Sequence, residues 1–541
     1  MHFATFQAAT LGLLAALWVA PLTAAPSLVL VNGKLFDGQG LAPSVTALAV
    51  EDGRIAAVGN DADIRRLAGP ATRIVDAGGR LVVPGLVEAH VHLGWGLPSP
   101  PLPMPGLPFP GPSAEQVLAA VEAAAKSGDG WISAWIGPRV ARDPRNWRVA
   151  LDAVAPRRPV LLRGFWGHTT MVNSAGLAAV GITDDVKDPI GGWWGRDAQG
   201  RLDGRAYEAA EDIEQRAAPP TPARLAEEIA AASRRYARWG VTSLHLMNSG
   251  SPLDVTVEAL RLAKPVQRWT VYAWAGAVRD VSEPWRAIEA ASTAAPAGVR
   301  IEGPKWMLDG TPLEQNAFRR DDYPGRPGWR GRPNLDETRL REVLRRALAS
   351  PRQLALHVVG DAQTDRLLAL MREVAPPDVW RTKRVRIEHG DGIRPDTVAA
   401  VAEFGMVVVQ NPTHLPPPMP GLSGPRAMLA GLLRGGVALA LGSDGGEQEQ
   451  NPFLNMMLAC TYPAAPGEAL TRAEALRAYT LGGAHAERAD DVGALRAGQV
   501  ASFAVLSQDV LSVPASDLPA TRSVLTLADG VVIHEDPDGG R

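Results

Sequence analysis

The stretch LVVPGLVEAHVHL, residues 81–93, decides the fold. It is a short β-branched apolar run that ends in His90 and His92. An apolar strand has no packing reason to end in histidine, because an unsatisfied buried imidazole costs free energy. Two apart on a strand, the rings project on the same side and can ligate one cation. Seven more apolar runs follow: VTSLHLM (241–247), WTVYAW (269–274), GPKWMLDG (303–310), LALHVVGD (354–361), VRIEHGD (385–391), MVVVQNPTH (406–414) and ALALGSDGG (438–446). Most are separated by helix-length stretches. One such helix is capped by Thr221, carries Leu225, Ile229, Ala232, Tyr236 and Trp239 on one stripe, and stops at Gly240. Another opens with the capping pair Thr471 and Glu474. Eight strands alternating with helices predict an α/β chain with a (β/α)8 TIM-like barrel. An open doubly wound sheet would want a glycine fingerprint after its first strand, and none is present there.

The chain has 541 residues, 46% hydrophobic and 21% charged, with a net charge of −3 and a pI near 6.4. That balance argues against a nucleic-acid binder and against a polybasic membrane-surface protein. The length suits one large barrel with additions. Cys460 is the single cysteine, which excludes an intramolecular disulfide and any multi-cysteine metal site. Metal chemistry must therefore use histidine and carboxylates.

The two ends of the chain read differently from the middle. SLVLVNGKLFDG (27–38), ALAVEDGRIAAVG (47–59), QVASFAVLSQDV (499–510) and SVLTLADGVVIHED (523–536) are short β-branched runs broken by Asn-Gly and Asp-Gly turns. They predict a small β-sandwich domain built from both termini, residues 26–80 and 495–541, around a barrel of residues 81–494. Residues 1–25 contain no Asp, Glu, Lys or Arg and carry an apolar run from Leu11 to Ala20 before Thr23, Ala24 and Ala25. That pattern predicts a cleaved signal peptide and a periplasmic or secreted protein, with an N-terminal membrane anchor as the alternative. No later segment offers the ~18 uninterrupted apolar residues of a stable membrane span.

Polar groups sit at the ends of the apolar runs. His90 and His92 end the first, Lys305 lies in the fourth, His357 in the fifth, His389 in the sixth and Asp444 in the eighth. The carboxyl ends of all barrel strands share one face, so these six side chains can converge on a metal site. Lys305 could instead pair with Asp309 or Glu302. Its position among the histidine strands favours a carboxylated, metal-bridging lysine.

The motifs PGLVEAHVHL, GPKWMLDG, LHVVGDAQTD, RIEHGD and GSDGG, with the tail LTRAEALRAYTLGGA and VGALRAGQVASFAVL, resemble the metal-dependent amidohydrolase superfamily. More closely, they are similar to its amidohydrolase-3 branch of YtcJ-like and N-substituted formamide deformylase-like proteins. The resemblance implies that His90 and His92 hold a buried metal and His357 and His389 a more exposed one. Lys305, as a carbamate, would bridge them, and Asp444 would ligate the buried ion and shuttle the proton. Glu88 stands where that group usually has Asp, and Gly445-Gly446 replaces its commoner Ala-Pro. GRAYEAA resembles a stretch ending in a glutamate, which makes Glu208 a ligand or a substrate contact. His168 resembles a histidine facing the site, with His414 and His245 as weaker candidates for contact.

The implied cofactor is one or two divalent ions, zinc before manganese, iron or cobalt. Such an ion lowers the pKa of bound water from ~15.7 toward ~7. The reaction so implied is hydrolysis of a non-peptide carbon–nitrogen bond, with Asp444 moving the proton to the leaving nitrogen. An esterase, lactonase or deaminase on the same scaffold, or a non-catalytic periplasmic binding protein, are the alternatives. Residues 95–215 form a large insertion after the first barrel strand, read as a lid or subdomain. It opens with LPSPPLPMPGLPFPGP (97–112), and a second proline cluster, PTHLPPPMPG (412–421), follows the seventh strand on the same face. Several of the 15 Trp, Trp95 among them, fall in the insertion and suggest a partly aromatic pocket. The partners so implied are a small-molecule substrate and, at most, further copies of the same chain.

Overall fold

The computed structural model describes residues 25–208, 210–276, 278–415 and 427–537. The signal-peptide reading falls on residues 1–24, and most of the second proline cluster on residues 416–426, both outside the described residues.

Eight parallel strands form one sheet in chain order: β1 (Leu86–Val91), β2 (Val241–Asn248), β3 (Arg268–Trp274), β4 (Val299–Met307), β5 (Ala355–Val358), β6 (Arg386–His389), β7 (Val407–Gln410) and β8 (Ala438–Leu441). Each is paired in parallel with the next. The seam between β8 and β1 closes just beyond the strand ends. There Ser443 N–H donates to Glu88 Oε1 (2.7 Å) and Asp444 N–H to the His90 carbonyl (2.9 Å). Glycine is needed at position 442, because a Cβ there would lie 2.4 Å from His90 N. The chain is thus a nearly closed (β/α)8 barrel.

Helices connect the strands on the outside. Thr221 caps Pro222–Ala237, whose Leu225, Ile229, Ala232 and Tyr236 are buried, and the chain turns at Gly240 with φ +82°. Thr471 and Glu474 form a reciprocal capping box at Arg472–Arg477. Among the described residues no helix is long and apolar enough to cross a membrane.

LVVPGLVEAHVHL, read as one strand, is two. Leu81–Pro84 pairs with Lys34–Leu35 and Phe503–Leu506 in a five-stranded sheet, and only Leu86–Val91 enters the barrel. The break falls at Gly85, where a Cβ would meet Thr242 Oγ1 at 2.1 Å. Proline cannot supply an N–H and glycine alone fits the approach, so Pro84-Gly85 passes the chain from one sheet to the other. Leu81–Pro84 therefore belongs with the strands of the chain ends rather than with the barrel. The five-stranded sheet faces a four-stranded one of Leu28–Val31, Ala47–Glu51, Arg54–Gly59 and Arg73–Asp76. Leu30, Leu48, Val82, Phe503 and Leu525 are among the buried side chains of their shared core.

Between β1 and the helix Pro222–Ala237 lies a six-stranded mixed sheet, with Ala114–Ala125 and Trp147–Val154 among its helices. It has its own apolar clusters, one around Val117, Trp147 and Leu162 and one around Leu161, Trp194 and Ile213. A segment with its own core is a subdomain rather than a bare lid.

Candidate metal centre

The strand ends place the candidate ligands. His90 is fully buried at the end of β1; its Nε2 lies 3.2 Å from His92 Nε2 and 3.5 Å from Asp444 Oδ1. His92 Nε2 is 3.3 Å from the same oxygen. His389 Nδ1 and His414 Nε2 lie 3.7 and 3.5 Å from Asp444 Oδ2. One carboxylate thus faces four imidazoles. His389 and Asp444 both hold positive φ (70° and 42°), conformations non-glycine residues adopt rarely and often at functional sites.

The other predicted residues close around this group. His357 is buried, its ring 4.6 Å from that of His389 and 5.0 Å from that of His168. His168 Nδ1 contacts both oxygens of Glu208 (2.9 and 3.0 Å). Trp95 stacks on His92 at 4.9 Å, and its Nε1–H donates to Ser249 Oγ, which lies 2.8 Å from His92 Nδ1. Lys305, on β4, is buried, and its charge bears on His90, His92, His357, His389, Glu208 and Asp444. The salt-bridge alternative for Lys305 fails. Asp309 accepts three backbone N–H groups instead, and Glu302 pairs with Arg488 at 2.9 Å. His245 also lies elsewhere, in the barrel interior between Arg386 and Glu487.

Electrostatics favour neutral imidazoles. Burial drives the pKa of His90, His92, His357 and His389 well below the usual value, and the Lys305 charge and neighbouring histidines add to it. Burial likewise lowers the Lys305 amine, against the pull of Glu388 and Asp444. Burial pushes Asp444 up to about 7, although Lys305 and His168 oppose it. It raises Glu208 too.

Hydrogen bonds assign the tautomers. His90 Nδ1 meets Glu388 Oε2 at 2.7 Å and His389 Nδ1 meets Asn411 Oδ1 at 2.8 Å. Both partners accept, so each histidine donates from Nδ1 and leaves Nε2 bare. His357 is buried, and a hydrogen bond with the Gly310 backbone bears on its ring. Ligand atoms of His90, His389 and Asp444 lie within 4.8 Å of one another, as do those of His168, Glu208 and Glu314. Neutral imidazoles with bare nitrogens beside a carboxylate are the donor set a divalent metal takes. The residues fit such an ion.

Several groups around this centre were not legible in the sequence. Glu388 and Arg386 sit inside the quoted RIEHGD motif, where only His389 drew attention; two further charged residues in an apolar strand were the available signal. Ser249, Asn411 and Glu314 carried none, because their partners come from other strands. Glu88 acts through the backbone, accepting His90 N–H (3.1 Å) as well as Ser443 N–H.

Comparison with known proteins agrees with this architecture. The amidohydrolase family model matches residues 73–534. LONG AFTER FAR-RED 3 of Arabidopsis thaliana is 27% identical over 524 residues, covering 89% of this chain and 87% of that protein. The N-substituted formamide deformylase of Arthrobacter pascens is 25% identical over 559 residues, covering 95% and 99%. The crystal structure of an uncharacterized metal-dependent hydrolase from Pyrococcus furiosus superposes with a TM-score of 0.62 at 21% identity, covering 90% of this chain and 100% of that one. With a family match over most of its length and this donor set at the strand ends, the chain belongs to the amidohydrolase family of metal-dependent hydrolases.

Proposed function

We propose that this chain hydrolyses a non-peptide, amide-like carbon–nitrogen bond of a small molecule. The observation that carries the reading is the convergence of His90 Nε2, His92 Nε2 and His389 Nδ1 on the Asp444 carboxylate, with the Nδ1 protons of His90 and His389 held by Glu388 and Asn411. His90, His92 and Asp444 would hold a first divalent ion. His357 and His389 would hold a second, and Lys305, as a carbamate, would serve both. Histidine-rich, cysteine-free ligation favours zinc. A bound divalent ion acidifies water to near neutral pH and polarises a carbonyl oxygen.

The protein's own groups supply the rest. Asp444, half-buried among the imidazoles, takes a proton from the attacking water at Oδ2 and returns it to the leaving nitrogen. His168, held by Glu208, stands beside His357 to orient the substrate. Trp95 walls the His92 side, and half-exposed His414 lies on the outer side of Asp444. The name of the Arthrobacter relative, a deformylase of N-substituted formamides, supports the carbon–nitrogen reading. Residues 1–25 are proposed to direct export, which N-terminal sequencing of the mature protein tests.

A hydrolysis screen of N-formyl and N-acyl amines, lactones and amino-heterocycles, with and without chelator, tests the chemistry. Cleavage of amide-like substrates, abolished by chelation and restored by zinc, is the expected result. Turnover of lactones or amino-heterocycles alone would overturn the assignment of the bond.

A further inference from the structure

A TIM barrel is normally filled by layers of Val, Ile and Leu. Here part of the interior is charged. Arg386 and Glu388, two apart on β6, are both fully buried. Arg386 Nε donates to Glu388 Oε1 at 2.7 Å and Nη2 to Oε2 at 3.1 Å. Its Nη1 reaches His245 Nδ1 (2.9 Å) and Tyr272 OH (3.1 Å), and Nη2 the Ala89 carbonyl (2.6 Å). Beyond His245, its Nε2 faces Glu487 Oε2 at 3.3 Å. On the other side Glu388 Oε2 meets His90 Nδ1. Buried ion pairs are weak contributors to stability, and apolar residues of similar volume often replace them without loss. Their presence calls for another explanation.

The geometry points to a directed hydrogen-bond chain, His245–Arg386–Glu388–His90, in which Arg386 and Glu388 are positioning residues that fix which nitrogen of His90 faces the metal centre. Guanidinium has five donors, no acceptor and a permanent charge. His245 Nδ1 must therefore accept, which puts its proton on Nε2 toward Glu487. Glu388, receiving two N–H groups from Arg386, must present an acceptor to His90. His90 can then only donate from Nδ1, and its Nε2 lone pair is committed to the space shared with His92 and Asp444. No member can reverse while Arg386 stands in the middle. This inference rests on the metal-centre reading above and adds the residues that orient one of its ligands.

Zinc affinity of the full-length chain, measured by competition with a chromogenic chelator, tests it. In Glu388→Gln the amide oxygen must turn to Arg386 and its N–H to His90, which forces the His90 proton onto Nε2. The expected result is 10–100-fold weaker zinc binding with an unchanged far-ultraviolet circular dichroism spectrum. Arg386→Met is expected to weaken binding as well, and to add less than about threefold in the Glu388→Gln background, because it acts through Glu388. Wild-type affinity in Glu388→Gln would overturn the inference alone, as would losses that multiply in the double variant. A wild-type chain with no zinc affinity would overturn both it and the metal-centre reading. Should Arg386→Met fail to fold, Glu388→Gln decides.

Discussion

At the scale of single residues, the site works by leaving lone pairs in the right place. His90 and His389 spend Nδ1 on Glu388 and Asn411, while burial keeps them and His357 neutral. The Asp444 carboxylate is in reach of four rings, and it is the residue asked to move a proton. Asp444→Asn should keep at least one bound metal while turnover falls about 10²–10⁴-fold. Steady-state assays paired with metal analysis check this, and near-normal turnover would remove Asp444 from its role. The six strand-end residues could be read from the sequence because histidine, lysine and aspartate stand out in apolar runs. Their supporters could not. Arg386 reaches His245 across 141 residues of sequence, and nothing local announces the pairing.

At the scale of elements, the loops beyond the strands are pinned by a few buried side chains. Asp309, just past β4, accepts N–H groups from Phe318 (2.9 Å), Val359 (3.1 Å) and Gly360 (2.7 Å), and so ties its own loop to the end of β5. Each orphaned buried N–H costs about 1–3 kcal/mol, and three cannot all find water. Asp309→Ala should destabilise the protein by about 2–4 kcal/mol in denaturant unfolding. A loss under ~1 kcal/mol would show that the loop stands without it. The same loop carries Glu314, whose Oε2 accepts Trp166 Nε1–H (2.8 Å) from the inserted subdomain. The alternation of strand and helix was legible because most barrel strands lie in near-continuous apolar runs. The split of residues 81–93 was not, because Leu81–Pro84 and Leu86–Val91 are equally apolar and only Pro84-Gly85 separates them. The subdomain's six-stranded sheet was also hidden, since its strands have no more than six residues and follow a proline-rich lead.

At the scale of the whole molecule, the carboxyl-terminal part of the chain locks the barrel floor. Burial pushes the Glu487 carboxyl up, but a hydrogen bond from Thr270, the Nε2 side of His245 at 3.3 Å and the charge of Arg300 outweigh it and hold it at about 2, against 4.5 for a free side chain. A carboxylate with a depressed folded pKa contributes stability above its unfolded pKa and loses it as pH falls through the folded one. The contribution is on the order of 3 kcal/mol at pH 7 and should fade between pH ~4.5 and ~2. Glu487→Gln should therefore unfold more easily than wild type at pH 7, with the gap narrowing toward acid; a gap independent of pH would reject the assignment. The barrel and the β-rich ends were readable because both are repetitive patterns. The polar ladder in the interior was not, because it is assembled from four strands and a terminal helix. The central claim is that strand-end histidines and Asp444 hold a divalent metal. Metal per chain, measured by mass spectrometry on the purified full-length protein and on a His90→Ala/His389→Ala variant, tests it most directly. One or two equivalents in the wild type, with at least one lost in the variant, is the predicted result. Equal metal in both, or full turnover by metal-free protein, would contradict it.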